Sequence, residues 1–291
     1  MAPDRPVAPQ SIVALVALAL LLACPGSAQT KPTKTPSPTA AQPTAKMLVV
    51  EIPGTTARLE MVRVAGGTIK VPNPKKAGAL IAVRVKPFWI ARTETCWEAY
   101  DPFVYGLPPS GRARNPAGAD AVARPSKPYI PPDLGWGHNG FPVINVTHHA
   151  GTQYCAWLSA VTGRRFRLPS VAEWEFACRA GSAQPVKPTG PALDAVAWFE
   201  ANSAGQTHAA GKKKPNAWGL FDMLGNAGEW ASDLSGKPVL CGGSWSDGAR
   251  YVHSGARAYQ TSDWNASDPQ MPKSKWWLSD GSFAGFRVIC E

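Results

Sequence analysis

Charged residues are scarce in this sequence, and acidic residues are the scarcer kind. Only 17% of the 291 residues are charged, and 30 Lys and Arg against 20 Asp and Glu leave a formal net charge of +10. Such an excess can attract nucleic acid, acidic polysaccharide or anionic lipid. The basic residues are scattered, however, and the densest run, Lys212–Lys214, has no aromatic or Arg ladder beside it. We therefore predict a solvated loop there and no nucleic-acid partner.

A long apolar run is also missing. The longest, residues 12–23, is too short to cross a bilayer comfortably, follows Arg5 and precedes small residues, as is typical of a secretory signal peptide. Cleavage after Gly26-Ser27-Ala28 gives a signal peptide of residues 1–28, whereas Leu21-Leu22-Ala23-Cys24 resembles a lipobox that would place a lipid anchor on Cys24. Both alternatives predict an exported protein, periplasmic or extracellular, with no transmembrane segment in the mature chain.

Regular secondary structure is predicted to be sparse. Twelve Trp with 27 Gly and 29 Pro favour a loop-rich core built on aromatic anchors. Residues 29–46 are Pro/Thr-rich and predict a disordered linker, and residues 47–291 then form one α+β domain. Strands are predicted at 48–52, 61–64 and 81–85, with an irregular continuation to 90; helices at 94–105, 147–162 and 170–178; a long loop at 106–142; and short strands and turns from 217.

Two of these helices carry specific signals. Trp97, Tyr100 and Phe103 recur at helical spacing and predict a core-facing stripe. Ser170-Val171-Ala172-Glu173 follows Pro169 and forms a capping box, which predicts a helix start, and Gly181 predicts its end.

Four groups of short motifs follow one another along the mature chain. They are Met61–Thr68 with Lys86–Ile90 and Glu94-Thr95; Phe141–Val146 with Tyr154–Leu158 and Arg167–Glu175; Asn216–Trp230; and Gly242–Trp245 with Gly285–Val288. Each is weak alone, but in this order they resemble the formylglycine-generating enzyme (sulfatase-modifying factor) family. Another segment, Ser267–Trp277, resembles exported planctomycete-like bacterial members.

The resemblance implies a C-type-lectin-like formylglycine-generating-enzyme fold, rich in loops and irregular structure. It implies that Trp174, Trp230 and Trp245 are core anchors. Glu175 and Arg287 are candidates for buried, paired charges, because an unpaired buried charge is costly.

A calcium site is a further implication of the resemblance. Family members bind calcium at positions that match Asp222, Gly225, Ala227 and Glu229, and two carboxylates with two carbonyl oxygens suit a hard cation. The alternative is a tight loop in which the two carboxylates make caps and ion pairs. Gly228 stands where the family has a bulky aromatic residue, so the local packing must differ.

The catalytic cysteines of the family are missing. In the enzymes, two cysteines shortly after Gly-Gly-Ser-Trp bind copper and oxidise a substrate cysteine to formylglycine, and copper(I) needs such soft ligands. Here Asp247 stands at the first of these positions, and no cysteine lies between Gly242 and Ile289. The resemblance therefore implies no oxidase activity and no copper, with Cys241 the remaining candidate for a displaced thiol site.

The other cysteines are candidates for disulfides in an oxidising compartment. The family pairs the cysteine that matches Cys155 with the C-terminal strand, which implies a Cys155–Cys290 disulfide. Cys178 also matches a disulfide cysteine whose usual partner is missing. It pairs with Cys96 or Cys241, or stays free.

The five histidines show no ligand spacing. His148 and His149 are adjacent at a helix start and point apart, and His138, His208 and His253 are interpreted as surface or capping residues.

Two function classes follow. The first is a non-catalytic pseudoenzyme whose groove, formed by Trp245, Asp247 and Trp276, binds an exported peptide, a sulfatase or an acidic glycan. The second is a metal-dependent oxidase of the family, an oxidoreductase that converts protein cysteine to formylglycine at a displaced thiol site. The missing thiol pair favours the first.

Overall fold

The computed structural model describes residues 46–73, 75, 76, 78–106 and 131–291. The predicted signal peptide, Cys24, the linker up to residue 45 and much of the predicted loop at 106–142 lie outside the described residues. The strands are β1 Met47–Glu51, β2 Arg58–Val64, β3 Gly67–Pro72, β4 Leu80–Val85, β5 Phe88–Ala91, β6 Phe166–Arg167, β7 Gly228–Ser232, β8 Pro238–Cys241, β9 Arg257–Ala258, β10 Ala284–Gly285 and β11 Ile289–Cys290. The α-helices are α1 Trp97–Val104, α2 His148–Thr162, α3 Val171–Arg179 and α4 Pro191–Asp194, and short 3-10 helices cover Ala249–Tyr251 and Ser262–Asn265.

A mixed α and β architecture is therefore present, with three separate sheets. The largest has the strand order β1-β2-β5-β11-β6, so the C-terminal strand β11 is inserted between strands from the N-terminal half and the middle of the chain. β11 pairs antiparallel with both β5 and β6. The second sheet has the order β10-β7-β8-β9 and leaves β9 at an edge. Among the described residues, no helix is long and apolar enough to cross a membrane.

The predicted strands at 48–52, 61–64 and 81–85 correspond to β1, β2 and β4, but the β3 strand of the β3–β4 ribbon was not predicted. β3 alternates exposed and buried residues, but its sequence is bounded by Gly and Pro. The link between β2 and β3 needs glycine at position 66, where φ is +82° and a Cβ would lie 2.6 Å from the carbonyl oxygen of Val85. The backbone therefore passes close to the end of β4, where a side chain has no room.

α2 and α3 begin at the positions predicted from the sequence. Thr147 Oγ1 accepts a hydrogen bond from the Ala150 N–H at the start of α2, and Gly163 ends that helix in the left-handed region. Ser170 and Glu173 form the reciprocal capping box of α3. This helix ends at Arg179, one residue beyond the predicted end at 178, and Ala180 rather than Gly181 occupies the left-handed cap position.

Large aromatic residues fill the core, as the composition predicted. The three residues of the α1 stripe, Trp97, Tyr100 and Phe103, are at most 1% exposed, and Tyr100 packs edge-on against Phe286. Trp174 and Trp230 are fully buried. The α1 stripe, Trp230 and Phe286 join α1, α2 and the C-terminal segment in one apolar cluster, and Trp174 belongs to a second cluster.

A buried ion pair lies where the two sheets and α3 meet. Arg287 donates to both carboxylate oxygens of Glu229, at 2.7 and 2.6 Å, and neither side chain is more than 1% exposed. The Trp174 indole N–H donates to the same carboxylate at 2.6 Å, and Arg287 also donates to the Ala91 carbonyl oxygen in β5. The predicted pairing of Arg287 is confirmed. Glu175 is likewise buried and paired, with Arg179 and Arg257.

We predict that Arg287→Met lowers the free energy of unfolding by about 3–5 kcal/mol, because it leaves the Glu229 carboxylate buried without its cation. Chemical denaturation followed by Trp fluorescence measures the change. Arg165→Met is the matched control, because Arg165 pairs with Glu291 while 76% exposed and should contribute at most about 1 kcal/mol. Equal losses in the two variants would contradict a special role for the buried pair.

Candidate functional site

An open cleft of about 570 Å³ lies against the edge of the second sheet. Its floor and apolar wall are formed by Gly228, Leu240, Trp264 and Phe283. The lining also contains two groups of polar residues: Ser244, Ser246 and Asp247, and a second group, here called the His253 wall, of Tyr251, His253 and residues 255–258. The cleft therefore combines an apolar floor with hydroxyl, carboxylate, imidazole and guanidinium groups, which is the general character of a ligand site.

Pairing within the second sheet sets the floor. Gly228 begins β7, pairs with Ala284 of β10 and donates its N–H to the Phe283 carbonyl oxygen at 2.8 Å. A Cβ on Gly228 would approach that oxygen to 3.3 Å and a Leu240 methyl to 3.5 Å. The missing side chain at position 228 thus leaves the floor of the cleft open, which is the local change that the departure from the family pattern indicated.

Asp247 is held in place by its neighbours. Its Oδ2 accepts a hydrogen bond from the Ser244 hydroxyl at 2.7 Å, and Ser244 and Ser246 hydroxyls lie 3.1 Å apart. The Asp247 carbonyl oxygen accepts from the Glu200 N–H at 3.1 Å. Two hydroxyls and a carboxylate supply hydrogen bonds and negative charge to this part of the cleft. They are oxygen groups and do not provide the soft ligands that copper(I) needs.

Trp245, Asp247 and Trp276 do not form a groove together, so this part of the prediction is wrong. Trp276 is 4% exposed and packs against Phe103 and His149, so it belongs to the core and does not line the cleft. Trp245 is half-buried rather than a core anchor, and it packs edge-on against Trp136 at 5.1 Å. Of the three, Asp247 alone is among the residues that line the cleft.

The cleft residues that the sequence did not reveal are Tyr251, His253, Trp264 and Phe283. They lie in turns and 3-10 segments with no regular spacing, so no periodic signal could identify them. Trp276, within the segment Ser267–Trp277, covers the core.

All five described cysteines are free thiols, so none of the predicted disulfides is formed. The Cys178 and Cys290 thiols instead lie near the carbonyl oxygens of Met223 and Glu291. Burial raises the pKa of Cys241 to about 12, and it raises the pKa of Cys96, Cys155, Cys178 and Cys290 as well. Thiols in such surroundings stay protonated and are poor nucleophiles and poor copper ligands.

A second cluster of charges lies beneath the sheets and contains two of the predicted calcium ligands. Asp222 Oδ2 accepts from the Gly211 N–H at 2.6 Å, and Glu94 Oε1 accepts from the Asn226 amide at 3.0 Å. Asp222 Oδ1 and Glu94 Oε2 are buried and have no hydrogen-bond partner. Burial raises the pKa of Asp222 to about 6, and burial followed by the negative charge of Asp222 raises the pKa of Glu94 well above its usual range.

This acidic cluster fits a cation in its charge balance. Glu94, Asp222 and Glu229 face one guanidinium, that of Arg287. The negative charge of each carboxylate raises the pKa of Arg287. Glu229 already accepts two hydrogen bonds from Arg287. It therefore makes the ion pair that was predicted as the alternative to calcium binding, and its oxygens are less available to a metal. Within the described part of the chain, no three His, Cys, Asp or Glu side chains converge as a metal site. A cation here would also need backbone carbonyls such as those of Gly225 and Ala227.

His138 and His208 have structural partners. His138 bonds to Asp101 at 2.7 Å and to Asp133 at 2.9 Å, while hydrogen bonds and charge from these two carboxylates outweigh partial burial and raise its pKa. His208 stacks on Trp198 at 3.8 Å. The side chain of Lys213 also packs on the Trp198 ring, with Nζ 3.9 Å from the ring centroid. The lysine run is therefore not entirely solvated.

Comparison with proteins of known kind agrees with this fold. The chain is similar to formylglycine-generating enzyme of Bos taurus (33% identity over 106 residues, 32% of this chain and 27% of the relative). It is also similar to inactive C-alpha-formylglycine-generating enzyme 2 of Bos taurus (34% over 127 residues, 38% and 40%). These alignments span less than half of either relative.

Two solved structures share the architecture. PvdO from Pseudomonas aeruginosa superimposes with a TM-score of 0.60 at 25% identity, over 86% of this chain and 100% of that one. Treponema denticola variable protein 1 gives a TM-score of 0.57 at 22% identity, over 85% and 99%, and so shares the fold. Residues 49–291 match the sulfatase-modifying factor enzyme 1-like domain, and the chain belongs to this family, that of formylglycine-generating enzyme.

Proposed function

We propose that this protein is an exported, non-catalytic member of the family that binds an extended peptide in the cleft beside Asp247. The observation that carries the proposal is the cleft itself, which is open and apolar at its floor, has an edge strand at its rim and has no thiol among the described residues that line it. The chain is similar to a formylglycine-generating enzyme and to an inactive relative, so the similarity is compatible with both a catalytic and a non-catalytic protein. The choice between them therefore rests on the side chains of the cleft.

Peptide binding is supported by the edge strand. β9 is the last strand of the order β10-β7-β8-β9, and residues 255–258 line the cleft. An exposed strand edge presents free N–H and C=O groups to which an extended peptide can add. Alternate side chains of such a peptide point to one face, so one of them would enter the apolar floor between Leu240 and Phe283.

Oxidase activity at a displaced thiol has no support from the geometry of Cys241. This residue is 1% exposed, lies in β8 opposite Glu229 and is absent from the cleft lining. A copper site needs accessible thiolates, and burial keeps this thiol protonated. The non-catalytic alternative therefore agrees better with where the cysteines lie.

Calcium at the acidic cluster belongs to the same proposal as a structural ion. Asp222 Oδ1 and Glu94 Oε2 are the buried oxygens without a partner, and the Gly225 and Ala227 carbonyls would complete an all-oxygen set of the kind calcium prefers. The ion would balance the excess of carboxylates over Arg287 and hold the segment 222–229, which leads into the floor of the cleft.

We predict no formylglycine from this protein. Purified mature protein, copper(I), oxygen and a cysteine-containing sulfatase-motif peptide would be incubated, and mass spectrometry would detect the aldehyde. A formylglycine-generating enzyme run alongside is the positive control. Conversion that is abolished by Cys241→Ser would show that a relocated thiol site works and that the non-catalytic assignment is wrong.

We predict that a phage-displayed library of random linear peptides yields binders that require Tyr251. Tyr251→Ala removes an exposed ring from the cleft wall and should weaken binding at least about tenfold, measured by calorimetry. Tyr105→Ala is the matched control, because Tyr105 is similarly exposed (62% against 50%) but ends α1 away from the cleft lining. Binders that lose affinity equally in both variants, or a library without binders, would refute the peptide assignment.

We predict that calcium raises the melting temperature of the protein. At a calcium concentration of 100 Kd, binding to the folded state alone stabilises it by about 2.7 kcal/mol. The rise should be larger at pH 7.5 than at pH 5, because protons compete for the same carboxylates at low pH. Asp222→Asn should abolish the rise, whereas Asp263→Asn, at an exposed position, should keep it. An equal rise in both variants would place the ion elsewhere.

A further inference from the structure

His253 presents an unused hydrogen-bond donor to the cleft. Its Nδ1 lies 3.2 Å from the Gly255 N–H, and because an amide N–H can only donate, Nδ1 must accept. The neutral ring then carries its proton on Nε2. The half-buried ring lines the cleft, and none of its hydrogen bonds within the described residues involves Nε2. A histidine that only caps its own turn uses one nitrogen, as Nδ1 does here, so the second nitrogen remains for a ligand.

Positive charge is in excess behind this wall. The Glu175 carboxylate pairs with both Arg179, at 2.7 Å, and Arg257, at 2.6 Å. All three side chains are at least four-fifths buried, with exposures of 1%, 6% and 19%. One carboxylate therefore faces two guanidinium groups and leaves one positive charge unbalanced in surroundings that screen it weakly.

Two further cations lie close to residues of the His253 wall. Lys187 follows Val186, whose backbone N–H and C=O both bond to Ser254, each at 2.9 Å, so the chain at Lys187 runs beside His253. Arg250 lies over the Tyr251 ring at 4.6 Å. Burial lowers the pKa of His253, Lys187 and Arg257 lower it further, and Glu175 opposes them. Asp247, the carboxylate among the described residues that line this cleft, is bonded to Ser244.

We infer that the His253 wall binds an anionic group, and that the peptide bound in the cleft carries an acidic side chain next to the apolar side chain that fills the floor. This inference rests on the proposed function for the peptide, but the anion site itself does not. An anion at Nε2 accepts the ring N–H, and it forms a stronger, charge-assisted hydrogen bond when the ring is protonated. Protonation gives up the bond from the Gly255 N–H to Nδ1, because both nitrogens of a protonated ring donate. An anion also favours the protonated ring. Binding should therefore be tightest below the pKa of His253 and weaken as pH rises through it.

Inorganic sulfate is the probe for the anion site. NMR of the histidine ring protons at constant ionic strength, with chloride replaced stepwise by sulfate, should shift the His253 resonance and raise its pKa by at least about half a unit. His138 is the control within the same molecule, because Asp101 and Asp133 already occupy both of its nitrogens. Equal movement of both histidines, or of neither, would overturn the anion site.

Variants distinguish an anion bound at His253 from one attracted only by the net charge of the protein. His253→Gln keeps an N–H donor but cannot take a proton, so sulfate binding should weaken and lose its pH dependence. Lys187→Gln should weaken binding about threefold, whereas Lys212→Gln, the same charge change at another exposed lysine, should not. Equal losses in the two lysine variants would show that net charge alone attracts the anion and would overturn the site. Melting curves confirm that each variant is folded.

Peptides test the second half of the inference. A library-selected binder with Glu beside its apolar anchor should bind at least about fivefold more tightly than the same peptide with Gln, and His253→Gln should remove the difference. Peptide binding without this preference would overturn the acidic-peptide inference and leave the proposed function intact. A His253 response to sulfate in a protein that binds no peptide would support the anion site and refute the peptide function. Tighter binding of a sulfated oligosaccharide than of any acidic peptide would overturn the choice of peptide.

Discussion

The bidentate pair between Arg287 and Glu229 is the interaction on which the rest of the structure depends. It brings together β7, the C-terminal segment, the Trp174 indole of α3 and the Ala91 carbonyl of β5. Those elements belong to different sheets and to distant parts of the chain. Burying two charges costs more free energy than many such pairs return, so the pair is weak evidence for stability. What it imposes is position, because any other arrangement leaves a buried charge without a partner.

That position determines both candidate sites. Glu229 follows Gly228 in β7, so the pair fixes the floor of the cleft, while its other side faces Asp222 and Glu94. The two sites have opposite imbalances of charge. Three carboxylates share one guanidinium around Arg287, whereas two guanidinium groups share one carboxylate around Glu175. An imbalance in a poorly screened region favours a counterion of the opposite sign. The first region therefore suits a cation and the second an anion.

The sequence predicted the parts of this molecule whose causes are local. The capping box at Ser170 and the stripe of Trp97, Tyr100 and Phe103 involve residues within one or two helical turns, and both are present as expected. The β3 strand was missed because its pairing with β4, rather than its own composition, makes it a strand. Trp245 and Trp276 were assigned to a groove because Trp occurs both in cores and in binding surfaces. Their burial depends on Trp136, Phe103 and His149, which come from other segments, and no spacing in the sequence records those contacts.

Family membership and activity therefore depend on different residues. The motifs that show the family are mostly caps, turns and buried rings, such as Trp174, Trp230 and Gly225, where a Cβ would lie 2.1 Å from the Trp198 carbonyl oxygen. Selection of the fold preserves these residues whether or not the protein has an enzymatic activity. The cleft is formed by a different set. Asp247 contributes a hydrogen-bonded carboxylate, Gly228 leaves space at the floor, and His253 adds a ring nitrogen that has no hydrogen-bond partner among the described residues. A thiol oxidase needs none of these features, whereas a binding site needs space, an apolar surface and unsatisfied polar groups.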